Sequence, residues 1–222
     1  MNRDTVYAQS SQASVLETNK VLRNTYMLLS MTLAFSAFCA GLAMFIGISP
    51  MMSLGMTLAA FVMLFVVNKK ADTASGVYWV FAFTGLLGGA LGPMLSYYVG
   101  IANGPGLIMQ ALGGTAIIFF ALSGYALTSK KDFSFMGGFL MVGLIVAIIA
   151  SIANIFFAIP ALSLAISAAI IMIMSGLILF DTSRIIHGGE TNYIRATVSL
   201  YLNIYNIFVH LLHLLGVFGG DD

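Results

Sequence analysis

Charge is scarce in this sequence. Asp, Glu, Lys and Arg make up 8% of its 222 residues, hydrophobic residues make up 60%, and the mean hydropathy is +1.01. A soluble domain carries about 25% charged residues, so a water-soluble globule is excluded. No charged residue falls between Arg23 and Lys69, between Asp72 and Lys130, or between Asp132 and Asp181. Uncharged stretches of that length belong to helices that face lipid or lie inside a membrane bundle. With a net charge of +1 the chain has no basic patch able to neutralise several phosphates, which argues against a nucleic-acid partner. The lone Cys39 excludes an internal disulfide and a cysteine-based zinc cluster.

Enzyme signatures are missing too. The sequence contains no HExxH, no GxSxG, no GxGD within an apolar run and no lysine-bearing phosphate loop, and His187–Glu190 (HGGE) lacks the spacing that would set two ligands on one helix face. No catalytic residue, metal or cofactor is therefore expected. Residues 1–20 have no apolar h-region, so a cleaved signal peptide is not expected.

What is present is a series of apolar segments separated by Pro50, 68–75, 100–106, 129–132, 158–160 and 181–195. These breaks predict seven transmembrane helices over about 25–48, 51–67, 77–99, 107–128, 134–157, 161–180 and 197–218, each near the ~20 residues a span needs. An all-α membrane domain over 24–222 would follow a polar, flexible tail over 1–23. All nine Lys and Arg can be placed on one side: Arg3, Lys20 and Arg23 in the tail, Lys69 and Lys70, Lys130 and Lys131, then Arg184 and Arg195 in alternate loops. Cytoplasmic loops carry such an excess, which predicts a cytoplasmic N-terminus and an outer C-terminus bearing Asp221 and Asp222.

The seventh segment departs from the apolar pattern. Ser199, Asn203, Asn206, His210 and His213 are spaced 4, 3, 4 and 3 apart, so at about 100° per residue they share an arc of about 80°. The row runs about 21 Å along the helix, most of a hydrocarbon core about 30 Å thick. Its amides can hydrogen-bond to neighbouring helices, and its imidazoles can relay protons or simply sit at the interface. Thr115 and Asn154 are mid-span candidates to face it. Asp181 follows the sixth apolar run directly. Either it is an interfacial or capping charge, or it is a proton-sensing or cation-binding carboxylate facing the seventh helix. Burial and Arg184, one turn on, act on that carboxyl in opposite senses, and Arg184, Glu190 and Arg195 set the electrostatics of the sixth loop.

In the third segment Gly85, Gly88, Gly89 and Gly92 form overlapping GxxxG spacings ahead of Pro93. They read as a close-packing seam with a proline kink, or alternatively as a hinge. The 14 methionines are scattered over many segments, as packing residues are.

Taken together, GLLGGALGP (85–93), LFDTSRIIHGGE (179–190) and SLYLNIYNIFVHLLHLLG (199–216) resemble the transmembrane Bax inhibitor motif family over essentially the whole chain, and HGGETNYIRATVSLY (187–201) is similar to its bacterial YccA branch. That resemblance implies an inner-membrane protein whose seventh helix is a central post wrapped by the other six. It also implies a partner, a membrane AAA+ protease of the FtsH type that the protein modulates and that degrades it slowly. Other members of the family leak calcium under proton control through a pair of aspartates. The first of these matches Asp181. The second falls on Asn203, which cannot ionise, so a proton-gated calcium leak is the alternative implication rather than the first.

Overall fold

The computed structural model describes residues 3–219, and every regular element among them is helical. Met1, Asn2, Gly220, Asp221 and Asp222 lie outside this range. The elements are α1 (Arg3–Ile46), α2 (Pro50–Lys70), α3 (Gly76–Ala90), α4 (Gly92–Val99), α5 (Gly104–Ser129), a short 3-10 turn (Ser134–Met136), α6 (Gly137–Phe157), α7 (Pro160–Ile186) and α8 (Tyr193–Phe218). Because α3 and α4 form one passage, Gly76–Val99, the eight helices make seven spans, the number that the apolar segments predict.

Helix ends follow backbone hydrogen bonding rather than hydropathy, and several boundaries move for that reason. The second span lengthens from the predicted 51–67 to Pro50–Lys70. Ser49 caps it by accepting from the Met52 amide at 3.2 Å, Pro50 occupies the first turn, and Asn68 donates to the Leu64 carbonyl at 3.0 Å. Asp181 does not end the sixth span, since α7 continues to Ile186 and Asp181, Thr182 and Ser183 are all buried. The backbone of α1 is helical from Arg3, so most of the segment expected to be an unstructured tail runs continuously into the first span.

α8 packs against α1, α3, α5 and α7, whereas α2 packs on α3 and α4, and α6 on α7. The post is thus surrounded by four helices, with α2 and α6 outside them, rather than by all six. Few side chains on those outer helices are buried: Ala60 and Val67 in α2, Leu140 and Ala147 in α6. Around α8 the core is apolar, with Leu200, Ile207 and Leu212 fully buried, but polar contacts set its position. The Tyr201 hydroxyl donates to the Thr84 carbonyl at 3.2 Å and accepts from Ser36 at 2.7 Å, joining α8 to α3 and α1. Thr197 donates to the Thr25 carbonyl at 3.3 Å.

The basic loops meet at one end of the bundle. Asn192 caps α8 through its side-chain oxygen and uses its amide nitrogen to bond the Ala71 carbonyl at 2.9 Å and Asp72 at 2.8 Å, while Arg195 bonds Asp72 at 2.5 Å. Ser183 accepts from the Phe133 amide at 2.9 Å and donates to the Lys131 carbonyl at 3.3 Å. In the same loop the Ser134 hydroxyl and backbone amide hold the Asp132 carboxyl below the usual carboxylate range.

The glycines of α3 form the close seam. A Cβ at Gly85 would lie 2.8 Å from Phe35, one at Gly92 would lie 2.8 Å from Ala43, and one at Gly88 would overlap the Ser36 backbone carbonyl. At Gly88 the obstacle is main chain and cannot swing aside. The Gly88→Val substitution should therefore separate α3 from α1 and cost about 1–3 kcal/mol. Thermal unfolding in detergent micelles would show it, with Gly113→Val, where an added Cβ meets nothing within 4 Å, as the tolerated comparison.

Candidate functional site

Asp181 lies on α7 one and a half turns before its end, and only 8% of its surface is exposed. Across the interface Ser199 and Asn203 sit one turn apart on α8 and aim at the same carboxylate oxygen. Ser199 Oγ donates to Asp181 Oδ2 at 2.6 Å and Asn203 Nδ2 donates to it at 2.8 Å. Leaving a buried polar group without a partner costs about 1–3 kcal/mol, so the Asp181 carboxyl depends on these two donors. The carboxylate and its two donors therefore clamp α7 to α8.

Above the clamp, towards the basic end, a cavity of about 30 Å³ is lined by Asp181, Arg184, Glu190, Arg195 and Ser199. It is large enough for a water or two. Arg184 does not pair with Asp181. It donates to the Gly189 carbonyl at 2.9 Å, lies 3.8 Å from Glu190 and stacks over the Phe180 ring at 5.5 Å. Arg195 is drawn off by Asp72. Two cations and two carboxylates thus frame the cavity, but among the described residues no direct ion pair neutralises Asp181.

The rest of the row does not join this cluster. Asn206 turns its amide onto its own helix, donating to the Leu202 carbonyl at 2.8 Å. His210 Nδ1 lies 3.1 Å from Ser167 Oγ and His213 Nε2 lies 3.1 Å from Ser163 Oγ, beside a cavity of about 330 Å³ that Ser151, Asn154 and Met94 also line. The row is therefore sealed by hydrogen bonds at one end and borders open space at the other. Of the two residues named as facing it, Asn154 borders the same cavity as the histidines while bonding the Ile159 amide at 3.1 Å, and Thr115 lies away from the row, donating to the Ala111 carbonyl at 2.7 Å.

Ser163 and Ser167 were not singled out from the sequence, yet they pair with the two histidines. Together with Asp181 they fall within an arc of about 40° on α7. A complementary row was therefore present in the sequence, hidden because isolated serines are common in apolar helices. Asp72 and Asn192 were also missed, since nothing in a linear reading connects the second loop to the sixth.

A family model described as inhibitor of apoptosis-promoting Bax1 matches residues 18–220. The chain belongs to this family. It is 55% identical, over the full length of both chains, to an uncharacterized membrane protein of Vibrio cholerae. It is 53% identical, over 97% of this chain and 98% of the relative, to the Escherichia coli K12 protein named modulator of FtsH protease YccA. The same figures hold for a second E. coli strain, O6:H1, whose protein is named inner membrane protein YccA. Seven apolar helices and these relatives make the chain a multi-pass inner-membrane protein. The names of the family model and of these relatives are those of an inhibitor, a modulator and membrane proteins, not of an enzyme.

Within this Bax inhibitor family member, Asn203→Ala removes one of the two donors to a buried carboxylate. A loss of about 1–3 kcal/mol in stability is expected, whereas Asn206→Ala, which breaks only a bond within its own helix, should stay near the parent value. Chaotrope unfolding of the two variants in micelles compares them directly.

Proposed function

We propose that this protein binds and modulates a membrane AAA+ protease of the FtsH type, as a partner and a slowly degraded substrate, with its basic end in the cytoplasm. The observation that carries the reading is identity of 53% over nearly the whole length of the E. coli protein named modulator of that protease. The clamp fits it physically. A protease that pulls substrates from the bilayer must break α7 away from α8, and each bond to the buried Asp181 adds to that barrier. A segment that engages but resists extraction occupies the protease and so restrains it. The N-terminal segment up to Lys20, on the proposed cytoplasmic side, would provide the first hold.

A second reading is favoured by one specific observation, the charged cavity of about 30 Å³ that reaches Asp181 from the basic end. In that reading a pH-sensitive cation leak, for calcium or protons, opens when the clamp releases, with Asp181, Asn203 and Asn206 on the gating face, Ser199 at its basic end, and His210 and His213 continuing it outward. Asn203 gives the clamp a neutral donor in place of a second acid. Two carboxylates at this distance could not both ionise without repulsion, so the amide favours the closed arrangement.

Removing residues 2–20 should slow turnover by the protease and relieve its restraint on other substrates, measured together in inner-membrane vesicles; no change in either would defeat the first reading. For the leak, the protein in calcium-reporting liposomes should show little flux as it stands, more with Asn203→Asp, and less again when Asp181→Asn is added. Flux indifferent to both substitutions removes the second reading.

A further inference from the structure

On the side of α8 away from the polar row, α1 and α5 lean on the post without closing over it. Tyr201, Ile204, Tyr205 and Phe208 form the floor of the resulting crevice, whose volume is about 500 Å³. Its α1 wall runs from Tyr26 to Met44, a length of about 27 Å at 1.5 Å per residue. Near the basic end the gap is closed by a hydrogen bond between the Tyr26 and Ser123 hydroxyls and by Tyr26 against Phe119, ring centroids 6.0 Å apart. Farther along, Met44 of α1, Leu91 between α3 and α4, Leu95 of α4 and Ile108 of α5 line the crevice.

We propose that this crevice holds one acyl chain of a membrane phospholipid. Its polar walls are already satisfied by the protein. Ser30 donates to the Tyr26 carbonyl, Ser36 bonds Tyr201, Thr115 donates to the Ala111 carbonyl and Tyr205 donates to the Leu87 carbonyl. Water needs two to four polar partners to be held in such a space, and the hydroxyl protons of these walls are already spent within the protein. The remaining walls are hydrocarbon, and the surrounding solvent is lipid.

Shape excludes the bulkier occupant. Even the whole empty space, about 1390 Å³ along about 27 Å, gives a mean cross-section of about 51 Å², whereas a helix 10–12 Å across needs about 80–110 Å². A helix from a partner or from a second copy cannot enter, but a single hydrocarbon chain can. In that position the chain packs against the back of α8, opposite Asn203, and replaces the contacts that α1 and α5 do not make with each other.

Gly41 lines the crevice, and a Cβ built there meets nothing within 4 Å. Gly41→Leu therefore fills the space without disturbing the helices. Gly113 is also open to an added Cβ but does not line the crevice, so Gly113→Leu adds the same side chain to ordinary lipid-facing surface. Native mass spectrometry of the full chain, purified from phosphatidylethanolamine and phosphatidylglycerol bilayers into mild detergent, counts the retained phospholipid. The parent and Gly113→Leu should each keep one, and Gly41→Leu should weaken retention about tenfold. In nanodiscs made with bromine on the acyl chains, a tryptophan placed by Leu112→Trp on the α5 wall should be quenched, and less so when Gly41→Leu is added. Equal retention by Gly41→Leu and the parent overturns the proposal, as does a parent that keeps no phospholipid. So does an unquenched tryptophan, or a dimer that Gly41→Leu dissociates while lipid retention stays unchanged.

Discussion

A polar group inside a bilayer has no water to fall back on, so whatever a span carries must be satisfied by another part of the protein. This constraint explains the arrangement around α8 better than any apolar contact does. In lipid, Leu against Leu gains little over Leu against an acyl chain. Five polar side chains on one helix face commit that face to a neighbour, and the neighbour must offer partners at matching heights. α7 does so with Asp181 near the basic end and Ser167 and Ser163 towards the other. Once α7 is placed, the opposite side of α8 is left for close packing by α1, α3 and α5.

The two ends of that interface differ in kind. At the basic end a carboxylate with two short hydrogen bonds is enclosed, and the nearby cations are engaged by Glu190, Gly189 and Asp72 rather than by Asp181. Towards the other end the imidazoles meet only serine hydroxyls beside a roomy cavity. A uniform conduit would need continuous space beside the row, and the clamp interrupts it. The geometry is that of a bundle held shut at one level, which fits the proposed role of a substrate that resists being pulled apart.

Close approach is the second requirement. α3 reaches α1 because Gly88 leaves room for the Ser36 carbonyl, and the same stretch of α1 presents the Ser36 hydroxyl to Tyr201 on α8. A glycine on one helix and a serine on the next therefore let three helices meet. Where α1 and α5 are not joined by such a seam, a crevice remains beside α8.

The number of spans, their approximate limits and the polar face of the last one were all legible from local chemistry. Apolar length, the scarcity of charge and a 3.6-residue period are properties of a segment taken alone. Asp181, Asn203 and Ser199 could each be named as candidates for the same reason, because an ionisable or amide side chain in an apolar run stands out without knowledge of its neighbours. Which of them touch could not be read in this way. That Asn203 reaches Asp181 while Asn206 bonds its own helix, that Asp72 ties the second loop to the start of α8, and that only four helices surround the post depend on the relative heights and rotations of helices far apart in sequence. Those are decided by the packing of the whole bundle, which no single segment encodes.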